Sequence, residues 1–287
     1  MSIFQNKKER VALASLGAAV FLTSAKFIVG IVTGSLGILS EAIHSLLDMV
    51  AAAVTFFSVR VSDRPADREH NYGHGKVENL SALFETLLLL VTSAWIIYEA
   101  MDRLISGNYF FEVTLWSYLI VITSIVVDLT RSRALKSAAI EFDSQALEAD
   151  AMHFSTDIWS SSVVLLGLIC SNFGIYQADS IAAIVVAFII VYVSVKLGIK
   201  AVDVLMDKAT DDYSYIISEE LKGVPEITSV HNVKVRRAGA DVFIDMVVHM
   251  DSSFSIDEAH RISHVFEDRL KSRINRCTVH IHQEPEE

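Results

Sequence analysis

Long apolar stretches separated by short polar segments fill residues 1–206. Each stretch has about the 20 residues that an α-helix needs to cross a hydrocarbon core roughly 30 Å thick. Six can be placed, at Val11–Val32, Leu36–Val59, Leu80–Leu104, Val113–Leu135, Ala146–Phe173 and Ala178–Leu197. Because hydrocarbon cannot hydrogen-bond to free backbone groups, each stretch is predicted to be a transmembrane helix. The first is not expected to be a cleaved signal peptide, since it carries Lys26 and lacks a small-residue cleavage site.

A different pattern begins at residue 207. Short amphipathic segments predict a helix, two strands, a helix and a third strand, at Tyr213–Lys222, Ser229–Arg236, Asp241–Met250, Ile256–Arg273 and Cys277–Gln283. Alternation marks the first two strands as half-buried, through His231, Val233 and Val235 in one and Val242, Ile244 and Met246 in the other. The fold predicted for the whole chain is therefore an α-helical membrane protein, with six transmembrane helices (residues 1–206) followed by a small α+β domain of order αββαβ (residues 207–287).

Composition supports a chain that is divided between two solvents. It is 52% hydrophobic with mean hydropathy +0.42, yet it carries 35 acidic and 24 basic residues and a net charge of −11. Residues 207–287 hold 16 of the acids, 10 of the bases and six of the ten histidines. This net charge gives no basis for a nucleic-acid partner. The two cysteines, Cys170 and Cys277, are too far apart in sequence to indicate a disulfide framework or a thiolate zinc site.

Basic residues cluster in alternate connections between the predicted helices. These are Lys7, Lys8, Arg10, Arg64, Arg68, Lys76, Arg131, Arg133, Lys136, Lys196 and Lys200. The opposite connections, Thr33–Ser35, Ser106–Glu112 and Ser171–Gln177, contain none. The positive-inside rule therefore predicts that both termini and the C-terminal domain face the cytoplasm.

Two predicted helices carry the same spacing of an acid, a histidine three positions later and an aspartate four positions after that. The residues are Glu41, His44 and Asp48 on the second helix, and Asp150, His153 and Asp157 on the fifth. A histidine and an aspartate four apart share one helix face, so two facing helices would bring together two imidazoles and two carboxylates. Such a set suits a tetrahedral divalent ion with zinc-like preferences. The alternative is that these groups form only interhelical hydrogen bonds or a buried ion pair.

The charge of such a site couples metal binding to proton binding. A divalent cation neutralises two carboxylates and two neutral imidazoles, whereas without it the buried carboxylates would hold protons. Metal and protons then compete for the same side chains, which is the physical basis of proton-coupled exchange. One hypothesis has Asp150 attracting the ion from the cytoplasm and Glu41 assisting its release outside. The alternative is that both are helix-end groups in water.

Some charged residues within the predicted spans have no assigned role. For Lys26, Glu85, Glu99 and Asp128 the expectation is interhelical pairing or a position near a span end.

With these motifs the chain resembles the cation diffusion facilitator family, most closely its bacterial YiiP-like members. The six spans, the paired motifs, the loop segment 65–76 and the C-terminal segment 281–285 carry the resemblance. It implies a homodimeric antiporter in the bacterial cell membrane that exports zinc or a related ion in exchange for protons. It also implies a metal site in the loop, at Asp67, His70 and His74, and a charge interlock between Lys76 and Asp207.

The resemblance also bears on ion selectivity. With histidine at position 44, the quartet His44, Asp48, His153 and Asp157 is similar to the family's zinc-selective pattern. An aspartate there would admit cadmium more readily, and an asparagine would point toward manganese. Imidazole nitrogen suits borderline ions, while iron(II) and cobalt(II) are not excluded by ligand type.

The resemblance further implies a metallochaperone-like C-terminal domain with a binuclear regulatory zinc site. His231, His260, His282 and Glu284 match its ligand positions. The chain departs from the family at Val247, where a histidine is usual, and His249 lies two positions on, on the same strand face. His249, His264 and His280 are therefore expected either to form a different cluster or to be surface histidines.

Two other classes of protein remain open on the sequence. An intramembrane metalloenzyme would need an open coordination position and a general base, and the chain has no His-Glu-x-x-His motif. A metal sensor or partner-binding membrane protein that no longer transports is disfavoured because both His/Asp pairs are complete. The favoured interpretation is a zinc/proton antiporter in which metal binding tightens the C-terminal dimer and biases the transport domain.

Overall fold

The structure, a computed structural model, describes residues 3–33, 36–106, 115–172, 177–208 and 211–286. These residues form two compact units. The first unit combines Met1–Arg64 with Val77–Ala201, and the second combines Pro65–Lys76 with Val202–Glu287. The segment between the second and third helices therefore belongs to the same unit as the C-terminal domain.

Six long helices make up the first unit. They are α1 (Ile3–Thr33), α2 (Leu36–Ser62), α3 (Lys76–Ser106), α4 (Leu115–Phe142), α5 (Gln145–Asn172) and α6 (Gln177–Leu205). The described part of each predicted span lies on one of them, but several helices run past the apolar stretch, so that Lys7, Lys8 and Arg10 lie inside α1 rather than before it. An apolar run marks only the part of a helix that lies in hydrocarbon. Long basic side chains let the helix continue toward water. The three connections without basic residues lie largely outside the described residues.

Four of these helices form a ring. α1 contacts α2 and α4, and α5 also contacts α2 and α4. Small residues allow these helices to approach closely, among them Ala12, Ala138, Ala139, Ala146 and Ala151. Large apolar side chains instead face outward, as at Phe21, Trp95, Ile105 and Tyr192. This distribution is typical of a unit surrounded by lipid.

Apolar stretches and buried ionisable residues occur together in the helical unit. α1, α2, α3 and α6 each contain a stretch long and apolar enough to cross a membrane, at Lys7–Val29, Ser45–Ser62, Lys76–Ser106 and Ser180–Leu205. α4 and α5 carry buried ionisable residues, among them Asp128, Arg131 and Asp150. Such residues mark a polar interior within the helical unit.

The C-terminal part of the second unit is an α+β domain in the predicted order. It consists of α7 (Asp211–Leu221), β1 (Ile227–Ala238), β2 (Asp241–Met250), α8 (Ile256–Arg273) and β3 (Cys277–Pro285). β1 pairs antiparallel with β2, and β3 pairs parallel with β2 after the α8 crossover. Apolar residues of both helices and one sheet face form the core, including Ile217, Ile244, Val248, Phe266 and Leu270. The other sheet face is left for polar side chains.

A β-bulge in β1 corrects one detail of the predicted strand pattern. Pairing with β2 shifts register between His231 and Lys234, and Asn232 has a φ of 50°. Val233 and Val235 pack against the core, whereas His231 is exposed on the open face. The prediction that these three residues share a face was wrong, because one extra residue reverses the alternation. The bulge thus places an imidazole on the polar face of the sheet.

Candidate metal centres

The first candidate centre lies between α2 and α5. One ligand atom from each of Asp48, His153 and Asp157 lies within 4.8 Å of the other two. His153 Nε2 is 3.2 Å from Asp48 Oδ1 and 3.6 Å from Asp157 Oδ2. The shared helix face of His153 and Asp157 follows from their spacing of four, and contact between α2 and α5 brings Asp48 to them. Two carboxylates thus converge on one buried imidazole.

The imidazole of His153 is held on several sides. Its ring edge meets the Phe154 ring, with centroids 5.5 Å apart, and the residue is buried. Nδ1 has no hydrogen-bond partner among the described residues, while Nε2 faces the two carboxylates. Nε2 is therefore the ring nitrogen placed to bind a cation together with the aspartates. His44 lies one helical turn before Asp48 on α2, but its side chain and that of Glu41 are outside the described part of the chain.

Asp150 lies one turn before His153 and is also buried. Ser15 on α1 donates a hydrogen bond of 3.3 Å to Asp150 Oδ2, and Arg131 Nη2 on α4 donates one of 3.2 Å to Ser15 Oγ. Asp150 Oδ1 has no partner among the described residues. The alternative that Asp150 is a helix-end group in water is wrong, because side chains of α1 and α4 cover it. Asp150 remains a candidate for the ion path.

The other intramembrane charges contact polar or charged side chains on facing helices or on their own helix. Thr55 on α2 donates a hydrogen bond to the buried Glu85 on α3, and Lys26 Nζ is 2.8 Å from Ser45 Oγ on α2. These two contacts are interhelical, as expected. Glu99 and Asp128 instead contact arginines on their own helices, Arg103 at 2.9 Å and Arg131 at 3.4 Å. Such pairs need no facing helix. The expectation allowed either interhelical pairing or a position near a span end, and Glu99 lies five residues before the end of its predicted span.

The second candidate centre is in the segment that joins α2 and α3. Ligand atoms of Asp67, His70 and His74 lie within 4.8 Å of one another. Asp67 Oδ1 is 3.3 Å from His70 Nδ1, and Oδ2 is 3.5 Å from His74 Nε2. The backbone N–H of His70 donates to Asp67 Oδ1 at 2.7 Å and lowers the pKa of this carboxyl group below its usual value. Asp67 is thereby kept ionised, which is the form that binds a cation.

An aromatic contact fixes this loop within the second unit. The Arg236 guanidinium on β1 stacks over the Tyr72 ring, 3.7 Å from its centroid, and Phe243 on β2 meets the same ring edge-on at 5.2 Å. Nearby, Gly75 is buried against Ala238 and Gly239 at the β1–β2 turn. A cation–π contact with an exposed tyrosine contributes about 0.5–1 kcal/mol. Tyr72 and Gly75 therefore anchor the loop that carries His70 and His74 to the sheet.

Substituting Gly75 by alanine is expected to detach the loop. A Cβ at this position would lie 2.0 Å from the carbonyl oxygen of Ala238, so one backbone segment must move, at a cost of about 1–3 kcal/mol. Hydrogen exchange at the amides of residues 65–76 should then be roughly tenfold faster, the equivalent of about 1.4 kcal/mol. Gly17→Ala on α1 is the control, because nothing lies within 4 Å of its Cβ. Equal exchange of the loop in both variants would contradict this account.

The third candidate centre lies on the open face of the sheet. His231 Nε2 is 3.0 Å from His249 Nε2, which is 3.1 Å from Glu284 Oε2. His282 is adjacent, with Nε2 3.5 Å from Glu284 Oε1. The strand register explains the set, since His249 lies opposite Glu284 and Val247 opposite both His231 and His282. His249 therefore contacts the His231 imidazole and the Glu284 carboxylate. It supplies a ligand nitrogen that Val247 lacks.

Three other histidines of this domain lie apart from that centre in the described chain. His260 and His264 are one turn apart on α8, with their Nε2 atoms 3.2 Å from each other, and His264 Nδ1 is 3.1 Å from Glu267 Oε2. His280 is exposed on β3. A thiolate ligand is also disfavoured in this domain, because burial raises the pKa of the Cys277 thiol to about 11. The predicted ligand His260 is thus not brought to the sheet site within one chain.

Lys76 and Asp207 form an ion pair in the second unit. Lys76 Nζ, on the first residue of α3, is 2.8 Å from Asp207 Oδ1, two residues after the end of α6. Asp207 has a φ of 54°, so the chain turns directly after α6. Both side chains are partly exposed, and such a pair contributes about 0–1 kcal/mol to stability.

Two groups of residues near the sites were missed by sequence reasoning. One is the chain of contacts from Arg131 through Ser15 to Asp150, and the other is a buried cluster of Lys8, Glu78 and Ser144. A weak signal existed for Arg131, whose spacing of three from Asp128 allows a pair on one helix face. No local signal connects Lys8 with Glu78.

Histidine and aspartate side chains that could hold a metal ion lie among long apolar helices, and a histidine-rich α+β domain follows them. This combination is typical of a membrane protein that moves cations. The chain belongs to the cation efflux family, the cation diffusion facilitators. The family model for the cation efflux transmembrane domain matches residues 12–206, and the model for the cation efflux protein cytoplasmic domain, named ZT_dimer, matches residues 210–286. The protein is accordingly a cation efflux transporter with a helical transmembrane domain and a C-terminal cytoplasmic α+β domain.

Relatives match over nearly the full chain. The cation-efflux pump FieF of Shewanella oneidensis is 30% identical over 95% of this chain and 92% of its own length. An uncharacterized transporter of Methanocaldococcus jannaschii is 32% identical over 95% of this chain and 97% of its own. Among solved structures, the Zn form of CzrB is 28% identical, covering 26% of this chain and 83% of its own, with a TM-score of 0.24.

Proposed function

We propose that this transporter exports zinc, or a divalent ion with similar ligand preferences, in exchange for protons. The observation that carries the proposal is the convergence of Asp48, His153 and Asp157 inside the helical unit. With His44, four positions before Asp48 in the sequence, they would form a His2Asp2 set that a divalent ion neutralises. Nitrogen ligands favour zinc, iron(II), cobalt(II) or cadmium over harder ions such as manganese.

Proton exchange follows from the same side chains. The ligands bind metal only when deprotonated, so metal from the cytoplasm displaces protons and protons from outside displace metal. Alternating access around the site would turn this competition into antiport. In the proposed orientation both termini are cytoplasmic, in a bacterial cell membrane, with Asp150 toward the cytoplasm and Glu41 toward the exterior. These two carboxylates are proposed to guide the ion in and out.

Regulation is proposed for the two centres outside the helical unit. The ZT_dimer match over residues 210–286 supports a homodimer formed through this domain. Metal bound by His231, His249 and Glu284, with His282 beside them, would tighten that dimer. His260 would join only if a second subunit supplies or meets it. The loop ligands and the Lys76–Asp207 pair would communicate metal binding to the ends of α3 and α6.

The test is metal uptake into inside-out vesicles with an imposed pH gradient. Zinc, cobalt(II), cadmium and manganese are compared for the wild type and for Asp157→Ala. Zinc uptake is expected to require an acidic interior and to raise the interior pH as it proceeds. Asp157→Ala should abolish both signals, because it removes one carboxylate from the buried set. Asp268→Ala is the matched control, since Asp268 is exposed on α8 and belongs to none of the three centres.

Two results would contradict the proposal. One is zinc uptake that ignores both the pH gradient and the Asp157→Ala substitution. The other is faster gradient-driven uptake of manganese than of zinc, which would mean that imidazole does not select the ion.

A further inference from the structure

A cavity of about 500 Å³ lies between α1 and α4 in the first unit. Three of its lining residues are basic, namely Lys7, Arg10 and Arg131, and none is acidic. Small side chains, Ala14 and Ala18 among them, leave the space between the helices open. Because Arg10 and Ala14 are exposed, the cavity reaches the surface of the unit. Its charge favours an anionic occupant.

Arg131 gives this cavity a buried, positioned cation, which a surface patch would lack. Its side chain is only 7% exposed and its guanidinium carbon lies 3.5 Å from the centroid of the Phe154 ring. Nη2 donates to Ser15 Oγ and Nη1 is 3.4 Å from Asp128 Oδ1, while the buried Nε has no hydrogen-bond partner in the described chain. A buried donor without an acceptor is costly, so an anion here would be stabilised.

The other two cations differ in how they are paired. Lys7 Nζ is 2.6 Å from Glu141 Oε2. Arg10 forms no ion pair within the described ranges, and it is exposed at the mouth of the cavity. Basic pockets between transmembrane helices at the cytoplasmic side are typical sites for phospholipid headgroups. Arg10 is therefore the residue best placed to meet a phosphate from the surface.

Apolar side chains continue from the cavity along both helices. On α1, Phe21 and Ile28 follow Ala14 at intervals of seven and are 72% and 63% exposed. On α4, Val126 and Ile122 precede Thr130 at intervals of four and are 55% and 46% exposed. Residues at these intervals lie on one helix face. A basic cavity flanked by such stripes matches a molecule with an anionic head and apolar tails.

We infer that this cavity binds the phosphate headgroup of an anionic phospholipid of the cytoplasmic leaflet. Arg10 and Arg131 contact the phosphate, and the acyl chains lie along the exposed apolar stripes of α1 and α4. A soluble anion would use the basic residues but not the stripes. Binding at this site requires neither a metal ion nor the proposed ion exchange, so the two proposals can fail separately.

The test uses full-length protein in an uncharged detergent and native mass spectrometry. Phosphatidylglycerol is compared with phosphatidylcholine of the same acyl chains and with inorganic phosphate. The anionic lipid should bind at least about fivefold more tightly than phosphatidylcholine, and Arg10→Gln should remove about this factor, the equivalent of about 1 kcal/mol per basic residue. Ala18→Leu should also weaken binding, because it fills the cavity and leaves every charge in place.

The matched control is Arg133→Gln. Arg133 is exposed on α4 only two residues from Arg131 but does not line the cavity, so its substitution should leave lipid binding unchanged. Equal losses in Arg10→Gln and Arg133→Gln would overturn the inference, since they would indicate a diffuse attraction. Full displacement of the lipid by inorganic phosphate would also overturn it and assign the cavity to a soluble anion.

Discussion

Replacing His153 by alanine is expected to reduce zinc transport at least about 100-fold. This loss should exceed the roughly 10–100-fold effect of removing a residue that merely supports a metal ligand. The imidazole is the group to which both carboxylates of the buried centre are directed, at 3.2 and 3.6 Å. Without it, α5 supplies no nitrogen ligand beside the carboxylates of Asp48 and Asp157. The two carboxylates are then expected to hold a proton in place of the ion.

Zinc flux into vesicles measures this effect, with His280→Ala as the control. His280 is exposed on β3 and belongs to none of the three centres in the described chain. His153→Asp separates loss of ligation from loss of folding, because it restores a ligand but supplies oxygen instead of nitrogen. That variant should regain transport with a weaker preference for zinc over other divalent ions, because one nitrogen ligand is replaced by oxygen. Wild-type zinc flux in His153→Ala would rule out the buried centre as the transport site.

Replacing Lys8 by methionine is expected to lower the free energy of unfolding of the helical unit by about 3–5 kcal/mol. Lys8 Nζ on α1 contacts Glu78 on α3 and lies 3.6 Å from Asp63, and the side chains of Lys8 and Glu78 are 4% and 2% exposed. Glu78 also accepts hydrogen bonds from Ser62, at 2.7 Å, and from Ser144. Removing the cation leaves a buried carboxylate without a counter-charge. Breaking a buried ion pair is costly for this reason.

Lys7→Met provides the control from the neighbouring position. Lys7 also pairs with a glutamate, but the two side chains are 59% and 36% exposed, and exposed pairs contribute about 0–1 kcal/mol. Loss of helical circular dichroism in an uncharged detergent measures both variants. Adding Glu78→Gln to Lys8→Met should restore more than half of the lost stability, since the amide oxygen accepts from one serine hydroxyl and the amide NH2 donates to the other. Equal destabilisation by Lys7→Met and Lys8→Met would contradict this assignment.

The sequence pattern predicts most of the fold because local rules determine it. Apolar length identifies the helices, and period-two alternation places β2 with its observed bounds of Asp241–Met250. The buried centre was predictable for the same reason, since a spacing of four puts His153 and Asp157 on one face. Only the contact between α2 and α5 had to be assumed to bring in Asp48.

The features that the pattern did not predict depend on contacts between distant parts of the chain or on irregular backbone. Lys8 and Glu78 are 70 positions apart, and counting basic residues near span ends treats Lys8 as solvated. The bulge at Asn232 gives β1 one residue more than the paired segment of β2, and the residue types of β1 do not indicate it. Arg131 was assigned to a polar junction, although helix α4 continues past it and buries it against Phe154. Each of these depends on packing that no local window contains.

The loop that joins α2 and α3 makes the second unit discontinuous in sequence. Residues 65–76 leave the helical unit, pack through Tyr72 and Gly75 against β1 and β2, and return to begin α3. The helical unit is therefore interrupted in sequence by a piece of the second unit. A chain truncated after residue 207 would keep Asp67, His70 and His74 but lose the sheet that holds their loop. The truncation would consequently affect two candidate metal centres at once. A point substitution at His249 or Glu284 is needed to affect only the centre on the sheet.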